Sequence, residues 1–214
     1  GSISFPNGAP TLLDIAVSLG RECRYAGAGM RWYPVLLHSF VVADMLPKPL
    51  KFDGLMHDAS ECITGDVPSP VKTDEIETLE NALMRVFYKS FGVVPPTAEQ
   101  HKAIKKADKD ALRGEVYTVG TQALQSVYER CAKAEKLTMK YVAEFPPMEC
   151  LSPDGKGPME FMRRFRIYSD MLEPARKTGM PDKFEKMRAD FNDTLQRWRQ
   201  IPDVPMGCGD SLTP

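Results

Sequence analysis

The chain has 214 residues, of which 43% are hydrophobic and 27% are charged, and its formal net charge is −1. These values are ordinary for a globular chain of this length, and a nearly neutral protein has no overall field that would attract a nucleic-acid polymer or an anionic membrane. No apolar run approaches the roughly 18 residues that a membrane-spanning helix needs, so we expect a soluble protein without membrane partners.

The five cysteines are scattered along the chain, and none forms a CxxC pair. This spacing is more typical of reduced thiols in a cytoplasmic protein than of a disulfide framework or a zinc ribbon. Residues 1–10 lack the basic and apolar lead-in of a secretory signal. We therefore expect no signal peptide and a cytoplasmic location.

Helical patterns dominate the chain from residue 11 onwards. Thr11 and Asp14 predict a capping box before a helix that ends near Cys23, and residues 24–33 indicate a loop. Apolar residues at helical spacing then predict further helices over Pro34–Pro47, Phe52–Ile63, Asp74–Phe91, from a second capping box at Thr97 and Gln100 through Glu115 to Pro146, and near Met159–Pro174 and Lys183–Gln200.

No strand alternation, internal repeat or Gly-rich phosphate loop interrupts these helical patterns, so we predict an all-α fold. The stretch Ser152–Pro158 is predicted to be a loop. We divide the chain into a helical core at residues 11–145, a helical extension packed on it at residues 146–200, and a tail at residues 201–214 that is expected to be disordered.

Several polar residues fall on the apolar faces of these helices. His38 lies three residues before Val41 and four before Val42, and Asp108 lies four residues after Ile104 and four before Leu112. A core histidine with satisfied hydrogen bonds is one interpretation of His38. A buried aspartate is harder to explain, because charged groups are seldom buried without a partner.

A third polar group follows on the helix at 52–63. His57 and Glu61 are four residues apart and Asp58 and Glu61 are three apart, so a regular helix would bring them together beside the core. Charges there are unfavourable unless they are compensated, and a metal ion is a common compensator. Two imidazoles (His38, His57) and two carboxylates (Asp58, Asp108) suit zinc, cobalt, manganese or magnesium.

The ordered set H…HD…D resembles the metal ligands of the HD superfamily of metal-dependent phosphohydrolases, over about residues 11–115. Within it, HDASE followed by GDVPSPVK is most similar to bacterial 5'-deoxynucleotidases and to phage-encoded deoxynucleoside triphosphohydrolases, including those that remove dATP. The pair Arg24-Tyr25 resembles the Arg-Trp pair that precedes the first metal histidine in those enzymes, with Tyr in place of Trp.

The resemblance implies an HD-domain helical bundle and a divalent metal ion held by His38, His57, Asp58 and Asp108. The helical patterns near Met159–Pro174 and Lys183–Gln200 predict additional C-terminal helices beyond that bundle. It implies that Glu61 positions or deprotonates the attacking water, and that Asp66 lies by the sugar and the scissile phosphate. It also implies a homo-oligomer in the cytoplasm of a bacterium or of a phage-infected host cell.

The same resemblance implies a set of substrate contacts. Lys72 and Lys105 match basic positions near the phosphates, Pro70 matches a wall of the base pocket, and Arg24 and Tyr25 match the residues beside the nucleotide. Two solvated surface lysines are the other interpretation of Lys72 and Lys105.

These residues predict an enzyme that hydrolyses deoxynucleoside triphosphates, with dATP favoured, to deoxynucleoside and tripolyphosphate through attack of metal-activated water on the α-phosphorus. A 5'-deoxynucleotidase acting on monophosphates is the first alternative, because the bond broken is the same. A cyclic-nucleotide phosphodiesterase and a non-catalytic nucleotide-binding protein are further alternatives.

Overall fold

A computed structural model describes residues 3, 5, 8–178 and 196. The helix predicted at Lys183–Gln200 lies outside these residues except for Gln196, and the predicted tail at 201–214 lies wholly outside them. Ten α-helices are found in the described part: α1 Leu12–Arg21, α2 Val35–Met45, α3 Lys51–Met56, α4 Glu61–Thr64, α5 Asp74–Ser90, α6 Ala98–Val119, α7 Gln122–Gln125, α8 Ala132–Glu144, α9 Pro147–Leu151 and α10 Lys156–Asp170.

The prediction of an all-α fold is confirmed for this part of the chain. Its extended backbone pairing is limited to two isolated bridges, Cys23 with Pro34 and Val93 with Lys177. Both predicted capping boxes are present, at the starts of α1 and α6. Among the described residues, no helix is both long and apolar enough to cross a membrane.

Helix α2 lies at the centre of the molecule. Every residue from Val35 to Ala43 is buried, and α1, α3, α6, α8 and α10 all pack against this helix. A helix that is apolar on all sides can bury its apolar surface only if other elements surround it. His38 therefore lies in the interior, where its ring nitrogens need partners from the protein or from a ligand.

The helix predicted over Phe52–Ile63 is wrong at its centre. α3 ends at Met56 and α4 begins at Glu61. Between them the backbone forms bonds from residue i to i−3, including Ala59 N–H to Met56 O at 3.0 Å and Glu61 N–H to Asp58 O at 2.9 Å. Such bonds wind the chain more tightly than an α-helix, and this tight turn carries His57 and Asp58.

Two further boundaries differ from the predictions. The helical pattern that was expected to continue from Glu115 to Pro146 is interrupted at residues 120–131, where Thr121 caps the short α7 and the apolar side chain of Val127 is 73% exposed. The predicted loop at Ser152–Pro158 is shorter, because α10 already begins at Lys156, whose backbone N–H donates to the side chain of Glu149.

The chain beyond residue 146 packs closely on the preceding helices. α9 and α10 both contact α1, and α10 also contacts α2 and α3. Phe161 and Phe165 on α10 are fully buried. The division of the chain at residue 146 stays a prediction, since these helices share one apolar core with α1 and α2.

A polar network around Asp44 ties four helices together. The Asp44 carboxylate at the end of α2 accepts hydrogen bonds from Lys51 Nζ at 2.8 Å, from Tyr168 Oη at 3.2 Å and from Tyr141 Oη, and Arg164 Nη1 lies at 3.3 Å. Burial opposes ionisation of Asp44, but the bonds from Lys51 and Tyr141 and the charge of Arg164 outweigh it and lower its pKa to about 2.

A second buried network fixes the last described turn, Pro174–Arg176. Both oxygens of Asp53, which is fully buried, accept from the Arg176 guanidinium at 2.7 Å. Tyr88 Oη donates to Asp53 Oδ1 at 2.9 Å, and Arg176 also bonds to the Val94 carbonyl. The charge of Asp53 is thereby compensated inside the core.

The Asp44 network predicts a pH-dependent stability difference. The pKa of Asp44 is about 2 in the folded protein, below the value of about 3.9 in an unfolded chain. The ionised carboxylate therefore stabilises the fold by on the order of 2 kcal/mol above pH ~4. This contribution is lost as the pH falls towards 2. Asp44→Asn should therefore lower the free energy of unfolding at pH 7, and its difference from the wild type should narrow below pH 4 in urea titrations. Asp170→Asn, an exposed control on α10, should change it little at either pH; an Asp44→Asn effect independent of pH would contradict this account.

Removal of Arg176 should be strongly destabilising, because the Asp53 carboxylate would stay buried without its cation. We expect Arg176→Met to lower the free energy of unfolding by about 3–5 kcal/mol, measured by guanidinium denaturation. The neighbouring Lys177→Met is the control, since the side chain of Lys177 donates to the exposed carbonyl oxygen of Asp170 and its backbone bonds would be retained. Equal effects of the two substitutions would show that the Asp53–Arg176 pair does not stabilise the fold.

Candidate metal centre and nucleotide cavity

Two histidines point the same ring nitrogen into one site. His38 on α2 has its Nδ1 2.6 Å from Glu115 Oε1, and His57 in the turn after α3 has its Nδ1 2.9 Å from the Gly54 carbonyl oxygen. Both partners are acceptors, so both Nδ1 atoms carry the proton and donate. The Nε2 atoms, 3.2 Å apart, are left as the ligand atoms, as in most histidine metal sites.

Two aspartates complete the cluster. Asp58 Oδ2 lies 3.1 Å from His57 Nε2 and 3.5 Å from His38 Nε2. Asp108 Oδ1 on α6 lies 3.2 Å and 4.0 Å from the Nε2 atoms of His38 and His57. His38, His57 and Asp108 form a group whose ligand atoms all lie within 4.8 Å of one another; Asp58 is not part of that group and adds its oxygen from the side of the two imidazoles.

These distances fit a small divalent cation. A tetrahedral ion with bonds of about 2.0–2.1 Å holds its ligand atoms about 3.4 Å apart. The separations of 3.2 Å from His38 to His57 and to Asp108 are close to this value, the 4.0 Å between His57 and Asp108 is longer, and Asp58 lies outside this group of three. Nitrogen and carboxylate ligands together suit zinc, cobalt or manganese, and carboxylates alone would favour magnesium. The structure thus groups three of the four predicted ligands, His38, His57 and Asp108, while Asp58 lies beside the two histidines.

The electrostatics of the cluster favour positive charge where these atoms converge. Burial and Arg24 lower the pKa of His38, but Glu115 and Asp108 outweigh them and raise it to about 10. Burial opposes ionisation of Asp58 as well, yet His57 and His38 hold the pKa of that carboxyl well below its usual range. Either a proton or a metal ion can supply the positive charge, and a metal ion would use the same lone pairs.

Glu115 is a buried residue of the site that sequence reasoning missed. It is fully buried, binds His38, accepts hydrogen bonds from Tyr33 Oη at 3.1 Å and Tyr25 Oη at 3.2 Å, and lies 3.4 Å from Arg24 Nε. Burial opposes its ionisation, but His38 and Arg24 hold its pKa below the ordinary value. Its position, seven residues after Asp108 on α6 and hence on the same face, was the available signal.

The loop after α1 contributes Arg24 and Tyr25 from behind the cluster. Arg24 is 9% exposed and its guanidinium lies 3.7 Å from Asp58 and 3.8 Å from Asp66. The Tyr25 backbone N–H donates to Asp66 Oδ2 at 3.1 Å. Tyr25 and Ala26 have φ of 61° and 49°, a conformation that side chains other than glycine rarely adopt and that the surrounding contacts must hold.

Glu61 is buried beside the ligands with one oxygen unpaired. It is 6% exposed, and its Oε2 has no hydrogen-bond partner within the described part of the chain. Burial, together with the charges of Asp58 and Asp66, raises the pKa of Glu61 to about 10. A buried carboxyl group without a partner is unfavourable unless it serves a ligand or a reaction.

A cavity of about 580 Å³ lies beside the cluster. It is lined by His57, Asp58 and Asp108 together with Glu61, and by further residues of the turns around residues 57–72, of α5 and of α6. This volume is in the usual range for a small-molecule site. His57, Asp58 and Asp108 therefore border a space large enough for a small molecule.

The predicted substrate residues are placed differently from one another. Lys72 and Lys105 both line the cavity, but Lys72 Nζ is bound to Glu80 at 2.8 Å. Pro70 is exposed and is not among the residues that line the cavity. The cavity is not lined by Arg24, Tyr25 or Asp66 either. Asp66 lies near the Arg24 guanidinium and accepts a hydrogen bond from the Tyr25 backbone.

Comparison with known proteins adds little to this geometry. No family model matches the chain. The chain is similar to the uncharacterized protein YfdR of Escherichia coli (strain K12), with 34% identity over 84 residues, which cover 38% of this chain and 47% of that protein. The chain thus spans about half the length of that relative, whose printed name gives no activity or ligand.

Glu115→Gln tests whether this residue orients His38 for a cation. Since an amide is a weaker acceptor than a carboxylate for the His38 Nδ1 proton, we expect cobalt(II) to bind about 10- to 100-fold more weakly, as measured by calorimetry and by visible absorption of the bound ion. Glu99→Gln, an exposed residue of the same helix, is the matched control. Unchanged cobalt affinity in a folded Glu115→Gln protein would contradict this role.

Proposed function

We propose that this protein is a divalent-metal-dependent phosphohydrolase that cleaves deoxynucleoside triphosphates, with dATP favoured, to deoxynucleoside and tripolyphosphate. The observation that carries this proposal is the grouping of His38, His57 and Asp108, with Asp58 beside the two histidines. This group borders a cavity of about 580 Å³ that is also lined by Glu61, which has an unpaired buried oxygen. The choice of dATP rests on the resemblance of the segment from His57 to Lys72 to the corresponding segment of enzymes that remove dATP.

His38, His57, Asp58 and Asp108 would hold the ion. When bound, a divalent ion acidifies a water molecule and neutralises charge on the phosphoryl oxygens. The side chains set where this happens, because Glu115 and the Gly54 carbonyl fix both imidazoles and Arg24 faces Asp58 from the other side.

Glu61 is the residue proposed to move the proton. Its carboxyl group lines the same cavity as His57, Asp58 and Asp108. A divalent ion bound beside it would offset the acids that raise its pKa and favour the ionised carboxylate, which can take a proton from water and pass it on. In the proposed reaction the water oxygen bonds to the α-phosphorus and the bond from the α-phosphorus to the 5'-oxygen breaks. The ionised Glu61 takes one proton from the water and gives it to the departing 5'-oxygen, which leaves as the hydroxyl of the deoxynucleoside.

A 5'-deoxynucleotidase is the second candidate, and one observation favours it. A triphosphate tail needs cations beyond the metal, yet two of the predicted basic residues already have anionic partners. Lys72 is bound to Glu80, and Arg24 lies near Asp58, Asp66 and Glu115. A monophosphate would need neither of them.

The proposal also includes a cytoplasmic location, a homo-oligomeric state and a nucleotide as the small-molecule partner. Cys23, Cys62, Cys131 and Cys150 all carry free thiols, which supports a reducing compartment such as the cytoplasm. A homo-oligomer and a nucleotide as the small-molecule partner rest on the resemblance.

The proposal is tested by incubating the protein with dATP or dAMP in the presence of zinc, cobalt, manganese or magnesium and separating the products. We expect deoxyadenosine and tripolyphosphate from dATP. We expect Glu61→Gln to lower kcat about 10²- to 10⁴-fold while metal binding is retained. Glu77→Gln, an exposed acid lining the same cavity, is the matched control.

Three outcomes would contradict parts of this scheme. Consumption of dAMP while dATP survives would favour the second candidate. An unaffected rate in Glu61→Gln would remove that residue from the reaction. No hydrolysis of either nucleotide with any of the four metals would leave a nucleotide-binding protein without catalysis.

A further inference from the structure

The part of the cavity away from the metal ligands is lined by basic side chains that the proposed function has not used. Arg85 on α5 and His101 on α6 both line it, as does Lys105. Within residues 8–178 no ion pair or hydrogen bond of their side chains is found. By contrast, Lys72 in the same cavity is bound to Glu80. Arg85, His101 and Lys105 are therefore available to a ligand.

The spacing of these residues follows the direction that a polyphosphate would take. His101, Lys105 and Asp108 lie at positions i, i+4 and i+7 of α6 and thus share one face of the helix. With a rise of 1.5 Å per residue, Lys105 lies about 4.5 Å and His101 about 10.5 Å along the axis from the ligand Asp108. Arg85 lines the same space from another helix.

In the described part of the chain, the carboxylates that line the cavity do not form ion pairs with Arg85, His101 or Lys105. Asp53 is neutralised by Arg176 and Glu80 by Lys72, while Asp58, Glu61 and Asp108 lie at the metal end. Glu77 is the exposed acid that remains in the outer part. An anion bound at the metal end can therefore extend outwards towards groups that donate hydrogen bonds and carry positive charge.

We infer that Arg85 and His101 bind the β- and γ-phosphates of a nucleotide whose α-phosphate lies at the metal cluster, with Lys105 between them and the cluster. This rests on the proposed function and deepens it, because these two residues would select triphosphates over monophosphates. Arg85 suits this role, since its planar guanidinium forms paired hydrogen bonds with phosphate oxygens.

Inorganic tripolyphosphate and orthophosphate are the probes, titrated calorimetrically into the metal-loaded full chain. We expect the wild type to bind tripolyphosphate more tightly than orthophosphate. The double variant Arg85→Gln/His101→Gln should bind tripolyphosphate about 10- to 100-fold more weakly, with orthophosphate binding unchanged. Lys102→Gln, which removes a charge from an exposed position of α6 that does not line the cavity, should leave both affinities unchanged.

The inference is overturned if the double variant binds tripolyphosphate as the wild type does, or if Lys102→Gln weakens binding equally. It is also overturned if the wild type does not prefer tripolyphosphate. Hydrolysis is measured separately: a protein that hydrolyses neither dATP nor dAMP but loses tripolyphosphate affinity on substitution would refute the proposed reaction while retaining the phosphate site. If the wild type hydrolyses these nucleotides, the double variant Arg85→Gln/His101→Gln should have a lower kcat/KM for dATP and an unchanged kcat/KM for dAMP. All the substituted side chains are exposed, and thermal melts check that the variants fold.

Discussion

The hydrogen bond from His38 Nδ1 to Glu115 is the interaction on which the candidate site depends. Both residues are fully buried, and the two atoms are 2.6 Å apart. The bond fixes which nitrogen of His38 faces Asp108, and it links the central helix α2 to α6. A carboxylate buried so deeply needs several donors, and Arg24, Tyr25 and Tyr33 surround it for that reason. The same hydrogen bond therefore determines both how α2 packs on α6 and how the His38 ring is oriented in the candidate site.

The same constraint explains the unusual backbone near Tyr25. Two consecutive left-handed residues cost about 1–3 kcal/mol each, which a loop would relieve if it were free. Here the Tyr25 side chain is held by Glu115 and its backbone by Asp66, while Arg24 lies among three carboxylates. Charge compensation thus stabilises a strained turn, and the turn places Arg24 beside Asp58 and Glu115.

Much of this arrangement follows from helical spacing. The buried position of His38 could be predicted from its apolar neighbours on a regular helix. Asp108 was expected to be buried as well, but its side chain is 37% exposed because it lines the cavity. The break at residues 57–60 could not be predicted in this way, since it depends on i to i−3 hydrogen bonds and on packing against α2. Glu115 follows the same spacing rule as Asp108, seven residues further along α6, but the helical pattern alone does not distinguish it from the other residues of that helix. The pairing of Lys72 with Glu80 is a tertiary contact between a turn and a helix, and residue spacing gives no sign of it.

The central claim is that four side chains from α2, the turn after α3 and α6 hold one divalent ion. Anomalous scattering from crystals grown with cobalt tests this most directly. The account predicts a single strong peak within about 2.3 Å of the Nε2 atoms of His38 and His57, with oxygens of Asp58 and Asp108 as further ligands. Absence of a peak at that point, or an ion held by other residues, would contradict it.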